Sequence, residues 1–274
     1  MSAESEDGRL DAVCTIARAA GAAILEVYRT DFSVQLKEDR SPLTEADRAA
    51  HTLIVERLRA LTPDLPVLSE ESEGVDAATR RQWARYWLVD PLDGTKEFLK
   101  RNGEFTVNIA LVEDHRAVLG VVYAPALDRL YYGSVGRGAF REDAGGPPRP
   151  IKVRRPAPER PRVVGSRSHP SGELGTYLAA LGPHEIKPMG SSLKICLVAE
   201  GAADIYPRFG PTSEWDTAAA QAVLESAGGS MIDLAGQPLR YNLKDDLLNP
   251  HFLAFGDHRR DWLAPIRSGK WIGR

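Results

Sequence analysis

A chain of 274 residues, 43% of them hydrophobic and 27% charged, can bury a sizeable core and is too apolar for a disordered or fibrous polymer. Its 35 basic against 38 acidic residues leave a net charge of −3, which excludes the general basic field that holds duplex nucleic acid without regard to sequence. No nucleic-acid partner is expected, and any anionic ligand must be held locally.

The opening Met1 to Gly8 is acidic and lacks the apolar centre of a signal peptide, and the longest apolar stretch, Ala117 to Leu127, is too short to span a bilayer. An intracellular, cytoplasmic protein without stable membrane insertion is the expectation. From Leu10 to Tyr28 apolar residues recur at helical spacing, among them Val13, Ile16, Ala17, Ala20 and Ile24. A second helix is expected to start at Ser41-Pro42, show a face of Ala46, Ala49, Leu53, Ile54, Leu58 and Leu61, and stop before Pro63. Cys14 and Cys196 are far apart and each is flanked by apolar residues, so both read as buried thiols rather than a disulfide or metal pair.

Next come segments rich in β-branched and aromatic residues: Trp87 to Asp90, Phe105 to Val112, Ala117 to Tyr123 and Arg129 to Tyr132. Their short, turn-like connections predict an antiparallel meander, and helices followed by strands predict an α+β half. Six prolines between Pro147 and Pro161 make regular helix there improbable, so this run is the expected connection between two domains, 1–150 and 151–274. Beyond it, strands at Arg162 to Gly165 and Ala203 to Tyr206 alternate with helices at Gly172 to Leu181, Ser191 to Glu200 and Asp216 to Ala227, as in an α/β unit.

The chemistry concentrates in Asp90-Pro91-Leu92-Asp93-Gly94-Thr95, where an apolar strand runs into a turn. Two carboxylates across a proline-fixed bend can share one hard cation such as Mg²⁺, Gly94 lets backbone approach a phosphate, and Thr95 can open a helix whose N–H groups hold that anion. The same residues also suit an ordinary surface turn. Glu70-Glu71 ends another apolar stretch and is either a solvated pair or a buried one that implies a metal. Asp216, before the helical run from Thr217, serves either as a helix cap or as a further ligand.

Taken in order, Glu70-Glu71, Asp90-Pro-Leu-Asp-Gly-Thr95 and Trp215-Asp216 resemble the motifs of the lithium-sensitive, magnesium-dependent phosphatase superfamily that includes inositol monophosphatases and fructose bisphosphatases. The segment Lys37-Glu-Asp-Arg-Ser-Pro-Leu-Thr-Glu-Ala-Asp47 is similar to that superfamily's first motif, so the resemblance covers nearly the whole chain. Within it, Thr95-Lys-Glu-Phe98 and the segment Lys100 to Ala110 resemble the bacterial 3′(2′),5′-bisphosphate nucleotidases. So do Gly165-Ser-Arg-Ser-His169, Gly190-Ser-Ser-Leu-Lys194 and Arg208. Ala220 departs from the glycine often found in the family, which implies a slight packing adjustment.

The resemblance implies a layered αβαβα sandwich with the site between its halves, the first half carrying the metal site and the second completing it and binding nucleotide. It implies that Glu70, Asp90, the Leu92 carbonyl, Asp93 and Asp216 hold two or three Mg²⁺ ions. Thr95, Glu70 and Asp47 would orient and deprotonate water, with Glu71 behind them. Gly94, Thr95, His169, Ser191, Lys194, Arg208 and Asp216 would bind substrate. The implied reaction is Li⁺-sensitive hydrolysis of adenosine 3′,5′-bisphosphate to AMP and phosphate, recycling a by-product of sulfur assimilation. An inositol or sugar-phosphate monophosphatase and a non-catalytic nucleotide-binding module are the alternatives. The resemblance leaves open the oligomeric state and a peripheral association with the cytoplasmic face of the inner membrane.

Overall fold

The structure, a computed structural model, describes residues 3–29, 34–36, 42–72, 74–165 and 172–267. Helix α1 (Ala3–Tyr28) buries Leu10, Val13, Ile16, Ala17, Ala20 and Ile24 on one face. It begins earlier than expected, because apolar periodicity marks only packed turns and the acidic residues before Leu10 carry no such signal. Strands β1 (Val34–Leu36) and β2 (Pro42–Thr44) pair antiparallel before α2 (Glu45–Leu61). The helix start expected at Ser41-Pro42 is therefore corrected to Glu45. Proline is tolerated at the first residue of a strand, where its missing N–H interrupts no ladder, and Ser41 lies outside the described residues.

The chain then lays down β3 (Val67–Ser69), α3 (Ala77–Arg80), β4 (Arg85–Asp93), α4 (Thr95–Leu99), β5 (Thr106–Glu113), β6 (Arg116–Ala124), β7 (Arg129–Ser134), β8 (Gly138–Asp143) and β9 (Arg149–Ile151). These strands form one seven-stranded sheet in sequence order, antiparallel throughout except for the parallel pair β3 and β4. The meander predicted from sequence is its centre. Part of the proline-rich run is not irregular: β9 closes the edge of the sheet, where Pro150 is allowed.

The rest supplies β10 (Arg162–Gly165), α5 (Gly172–Leu181), β11 (Glu185–Pro188), α6 (Leu193–Ala199), β12 (Ile205–Arg208), α7 (Ala218–Ser226), β13 (Ser230–Asp233), β14 (Phe252–Phe255) and α8 (Ala264–Arg267). The five-stranded sheet runs β11-β10-β12-β14-β13, with β10 parallel to both neighbours and β14 antiparallel to β12 and β13. The α/β alternation is thus only partial, since the strands after α7 return antiparallel.

Side-chain alternation builds the layers. On β4, β5 and β6, residues such as Trp87, Val89, Val107, Ile109, Leu119 and Val121 face α1 and α2. Their neighbours Tyr86, Leu88, Ala110, Val112 and Val122 face α6, α7 and the second sheet. On that sheet Val163, Ile205, Leu253 and Phe255 point outward to a third core with Tyr177 of α5 and Trp262. Helix–sheet–helix–sheet–helix is the result, the layered arrangement expected. Strand β6 and α7 touch at Gly120, where an added Cβ would stand 2.0 Å from the Ala219 carbonyl oxygen. Ala220 is fully buried in this layer, so its methyl occupies space the helix could not yield to a larger residue.

Cys196 is buried and Cys14 half-buried, both unbridged, and burial raises the pKa of each. Among the described residues no helix is long and apolar enough to cross a membrane.

Candidate active site

Strand β4 ends in a bulge: Asp90 pairs with Asn108 and Asp93 with Thr106, so one more residue is spent on β4 than on β5. A bulge re-aims side chains, and the Leu92 N–H donates to Asp90 Oδ1 at 3.0 Å, holding the bend. Asp90 is 1% exposed, and Pro91 and Leu92 are buried, which rules out the surface-turn reading of this motif. Gly94 follows at φ 89°, a left-handed conformation open to glycine, and α4 starts at Thr95 as the sequence suggested. A Cβ at residue 94 would also come within 3.2 Å of the Glu104 carbonyl oxygen.

Around Asp90 gather carboxylates from three other segments. Its pKa is pushed well above the ordinary value, first by burial and then by the charges of Glu70, Asp93, Asp216 and Asp47. Asp47 is buried in the first turn of α2. Glu70 follows β3, and its N–H donates to the Val89 carbonyl at 3.0 Å, which sets it beside Asp90. Glu70 and Glu71 are both half-buried, between the two alternatives their sequence allowed. Nearby, His51 of α2 and the Ser69 hydroxyl are hydrogen-bonded at 2.9 Å. Sequence reasoning passed over His51, although its spacing of four from Asp47 places both on one helix face.

Asp216 is not the cap of α7. It closes a 3₁₀ turn, Glu214–Asp216, in which its Oδ2 accepts the Ser213 N–H at 2.9 Å, while Thr217 occupies the cap position of α7. Burial and the charges of Asp93 and Glu70 raise its carboxyl to about 7, against the lowering effect of the Ser213 hydrogen bond and Arg208. Asp93 is also raised by burial, and is relieved by Lys194 and by the Ser192 N–H, which donates to its Oδ2 at 2.5 Å. That bond joins the two halves, as do Ser192 Oγ donating to Asn108 Oδ1 at 2.7 Å and its 2.8 Å contact with the Thr106 hydroxyl.

The donor set is hard oxygen and strongly anionic, and the charges that shift Asp90 most are all carboxylates. Such a cluster is stable when a hard divalent cation offsets the repulsion, so the residues fit one. Among the described residues no three acidic, histidine or cysteine side chains already close around a single ion position.

Most of the cleft beside these acids is built by residues from Ser191 onward. A cleft of about 350 Å³ is lined by Asp93 and Asp216 together with Ser191, Lys194, Tyr206, Arg208, Thr212 and Phe252. Lys194 Nζ sits 5.6 Å above the Tyr206 ring, which meets Phe252 edge-on at 5.7 Å. Arg208 donates from Nε to the Gly210 carbonyl at 3.1 Å and from Nη2 to the Pro211 carbonyl at 2.5 Å, so its guanidinium is held by the turn it must serve. Tyr206, Thr212 and Phe252 were not singled out from sequence, where they are indistinguishable from core and loop residues. His169 lies outside the described residues, as do residues 37–41 of the segment from Lys37 to Asp47.

Behind the acids, Arg80 is 2% exposed and donates from Nη1 to Asn242 Oδ1 at 2.6 Å and from Nη2 to the backbone carbonyls of Lys244 and Asp245. Asn242 in turn donates its backbone N–H to the Glu214 carboxylate at 2.8 Å. A buried arginine thus braces the turn that carries Asp216 from beneath.

Residues 6–263 match the model of the inositol monophosphatase family. A 3′(2′),5′-bisphosphate nucleotidase CysQ of Salmonella typhimurium is 55% identical over 245 residues, 89% of this chain and 98% of that protein. Its counterpart in Escherichia coli K12 is 54% identical with the same coverage. Among solved structures, CysQ from Bacteroides thetaiotaomicron superposes with a TM-score of 0.80 at 44% identity, covering 93% of this chain and 98% of that one. A Thermotoga maritima IMPase superposes with a TM-score of 0.78 at 26% identity, covering 96% and 98%.

Proposed function

The chain belongs to the inositol monophosphatase family, and on that footing we propose that it is a 3′(2′),5′-bisphosphate nucleotidase. In this reading it removes the 3′ phosphate of adenosine 3′,5′-bisphosphate, leaving AMP. Carrying it is the juxtaposition in one cleft of the carboxylates Asp93 and Asp216, coupled to the buried Asp90, with the cations Lys194 and Arg208. A substrate with one phosphate needs only the first of these groups. A bisphosphate uses both.

Enzymes of this family depend on a divalent metal. Two or three Mg²⁺ ions, held by Glu70, Asp90, the Leu92 carbonyl, Asp93 and Asp216, would supply an activated water and charge stabilisation for the leaving oxygen. Around them, Gly94 and the first N–H groups of α4 receive the phosphate that is to be cleaved. Thr95 orients the attacking water, with Asp47 and Glu70 taking its proton and Glu71 supporting them from behind. Ser191, Lys194, Arg208 and His169 hold the second phosphate and the nucleoside, with Tyr206 and Phe252 lining the cleft beside them. The division at 150/151 follows this split: the first half brings most of the metal ligands, and the second adds Asp216 and the nucleotide contacts. The reaction is set in the cytoplasm, with recycling of the sulfur-assimilation by-product as its use.

The test is phosphate release from adenosine 3′,5′-bisphosphate beside inositol 1-phosphate, with Mg²⁺, with EDTA and with Li⁺ added. Release from the nucleotide that EDTA abolishes and Li⁺ inhibits supports the reading. Preference for the inositol ester would keep the metal chemistry and remove the roles given to Lys194 and Arg208. Tight nucleotide binding without release would make the protein a binding module.

A further inference from the structure

Glu104 is 7% exposed, is not among the residues lining the cleft, and accepts the Gly190 N–H on its Oε2 at 2.8 Å. Gly190 opens the loop that carries Ser191 and Lys194, and that loop is pressed hard against the Gly94–Phe105 segment. An added Cβ at Gly190 would lie 2.7 Å from Glu97 Cγ, 2.9 Å from the Glu104 carbonyl oxygen and 3.0 Å from Glu104 Cβ. The next residue, Ser191, has φ 45°, a left-handed backbone that a non-glycine residue adopts only when its surroundings hold it there. One residue further, Ser192 is fixed separately by its bonds to Asp93 and Asn108.

The loop is therefore pinned at two points, with a strained residue between them. The second pin belongs to the acid cluster, the first to Glu104. Glu104 is itself set by its N–H, which donates to Asn102 Oδ1 at 3.0 Å, in the segment that begins with the phosphate-receiving turn at Gly94 and Thr95. From this arrangement we infer that Glu104 is a positioning residue for substrate recognition. It registers the Ser191–Lys194 loop against the Gly94–Thr95 turn, so that the two phosphate sites stand at the spacing of a nucleoside bisphosphate. This inference rests on the reading of Ser191 and Lys194 as contacts of the second phosphate. Loss of the Glu104 carboxylate releases Gly190 and Ser191 while Ser192 keeps Asp93 in place, so binding suffers and metal chemistry does not.

Steady-state kinetics on adenosine 3′,5′-bisphosphate, with a Mg²⁺ titration of each variant, tests this. E104A should raise KM by ~10-fold, the scale of one hydrogen bond to a charged group, with kcat within a factor of ~3 and the Mg²⁺ half-activation concentration unchanged. E104Q, whose amide oxygen can still accept the Gly190 N–H, should restore KM to within ~2-fold of wild type. G190A, which drives a methyl into Glu97 and Glu104, should raise KM as E104A does, and it carries the test if E104A does not fold. An active E104A with wild-type KM would overturn the inference. So would a fall in kcat at constant KM, or a shifted Mg²⁺ requirement. Wild-type protein that leaves the bisphosphate intact would instead refute the proposed function, a result separate from any behaviour of the variants.

Discussion

One group of residues at the site carries charges of a single sign, whereas the cations of the other are already engaged. Asp90, 1% exposed, is surrounded by the fields of Glu70, Asp93, Asp216 and Asp47. In the cleft with Asp93 and Asp216, Lys194 rests on the Tyr206 ring and Arg208 on the carbonyls of Gly210 and Pro211. A buried cluster of like charges costs folding free energy unless a cation joins it, while cations seated on ring faces and carbonyls are at no such disadvantage. The acidic group is thus an arrangement selected for chemistry at the expense of the metal-free fold, and the basic group suits both.

The strongest way to break this contrast is Asp90→Asn. Phosphate release should fall by at least ~10²–10³-fold, the loss typical when one electrostatic partner of a transition state is removed. The same protein should melt at a higher temperature than wild type in EDTA, because a neutral amide replaces a carboxylate that burial and four neighbouring charges destabilise. A lower melting temperature would show that the cluster is not under repulsion.

Lys194→Ala probes the basic group. Its kcat/KM for the bisphosphate should drop ~10–100-fold, as expected for a lost hydrogen bond between charged groups. In EDTA it should melt lower than wild type, the opposite sign from Asp90→Asn, because Lys194 relieves the charge on Asp93. Two variants that shift the melting temperature in the same direction would dissolve the distinction.

The smallest effect is in pH. Because the Asp216 carboxyl is raised to about 7, the folded protein keeps a proton that the unfolded chain gives up near the ordinary carboxylate value of 3.8. In EDTA, the contribution of this carboxyl to stability should therefore be complete below about pH 4 and decline as the pH rises to about 7. With Mg²⁺ present the ionised form is held and the decline should vanish. Thermal melts across this window, with and without metal, read the difference.

How legible the molecule was depends on the kind of signal each part leaves in sequence. The meander was readable because β5 and β6 alternate between two buried faces and are rich in β-branched residues. The start of α2 was not, because Pro42–Thr44 suits a helix entry or a short strand equally, and pairing with Val34–Leu36 decides between them. Among the site residues, Asp90 and Asp93 stood out by spacing and Asp216 by its place before a helical run, but its bond to Ser213 in a 3₁₀ turn left no periodic mark. Tyr206, Thr212 and Phe252 reach the cleft from β12, the loop after it and β14, segments whose residues look like ordinary core and turn.

By itself the sequence determined residue chemistry and local order: an acid-rich set on the ends of apolar strands, a glycine where backbone turns left-handed at Gly94, and a family resemblance carried by motifs in a fixed order. Tertiary structure alone decided which of these meet. The bulge in β4 turns Asp90 and Asp93 to one side, and the Ser192 bonds bring the second half against them. Arg80, more than a hundred residues away in sequence, braces the turn of Asp216 through Asn242. The physical reason is that burial and charge coupling depend on distance in space, which falls steeply across a few ångströms and has no counterpart in separation along the chain.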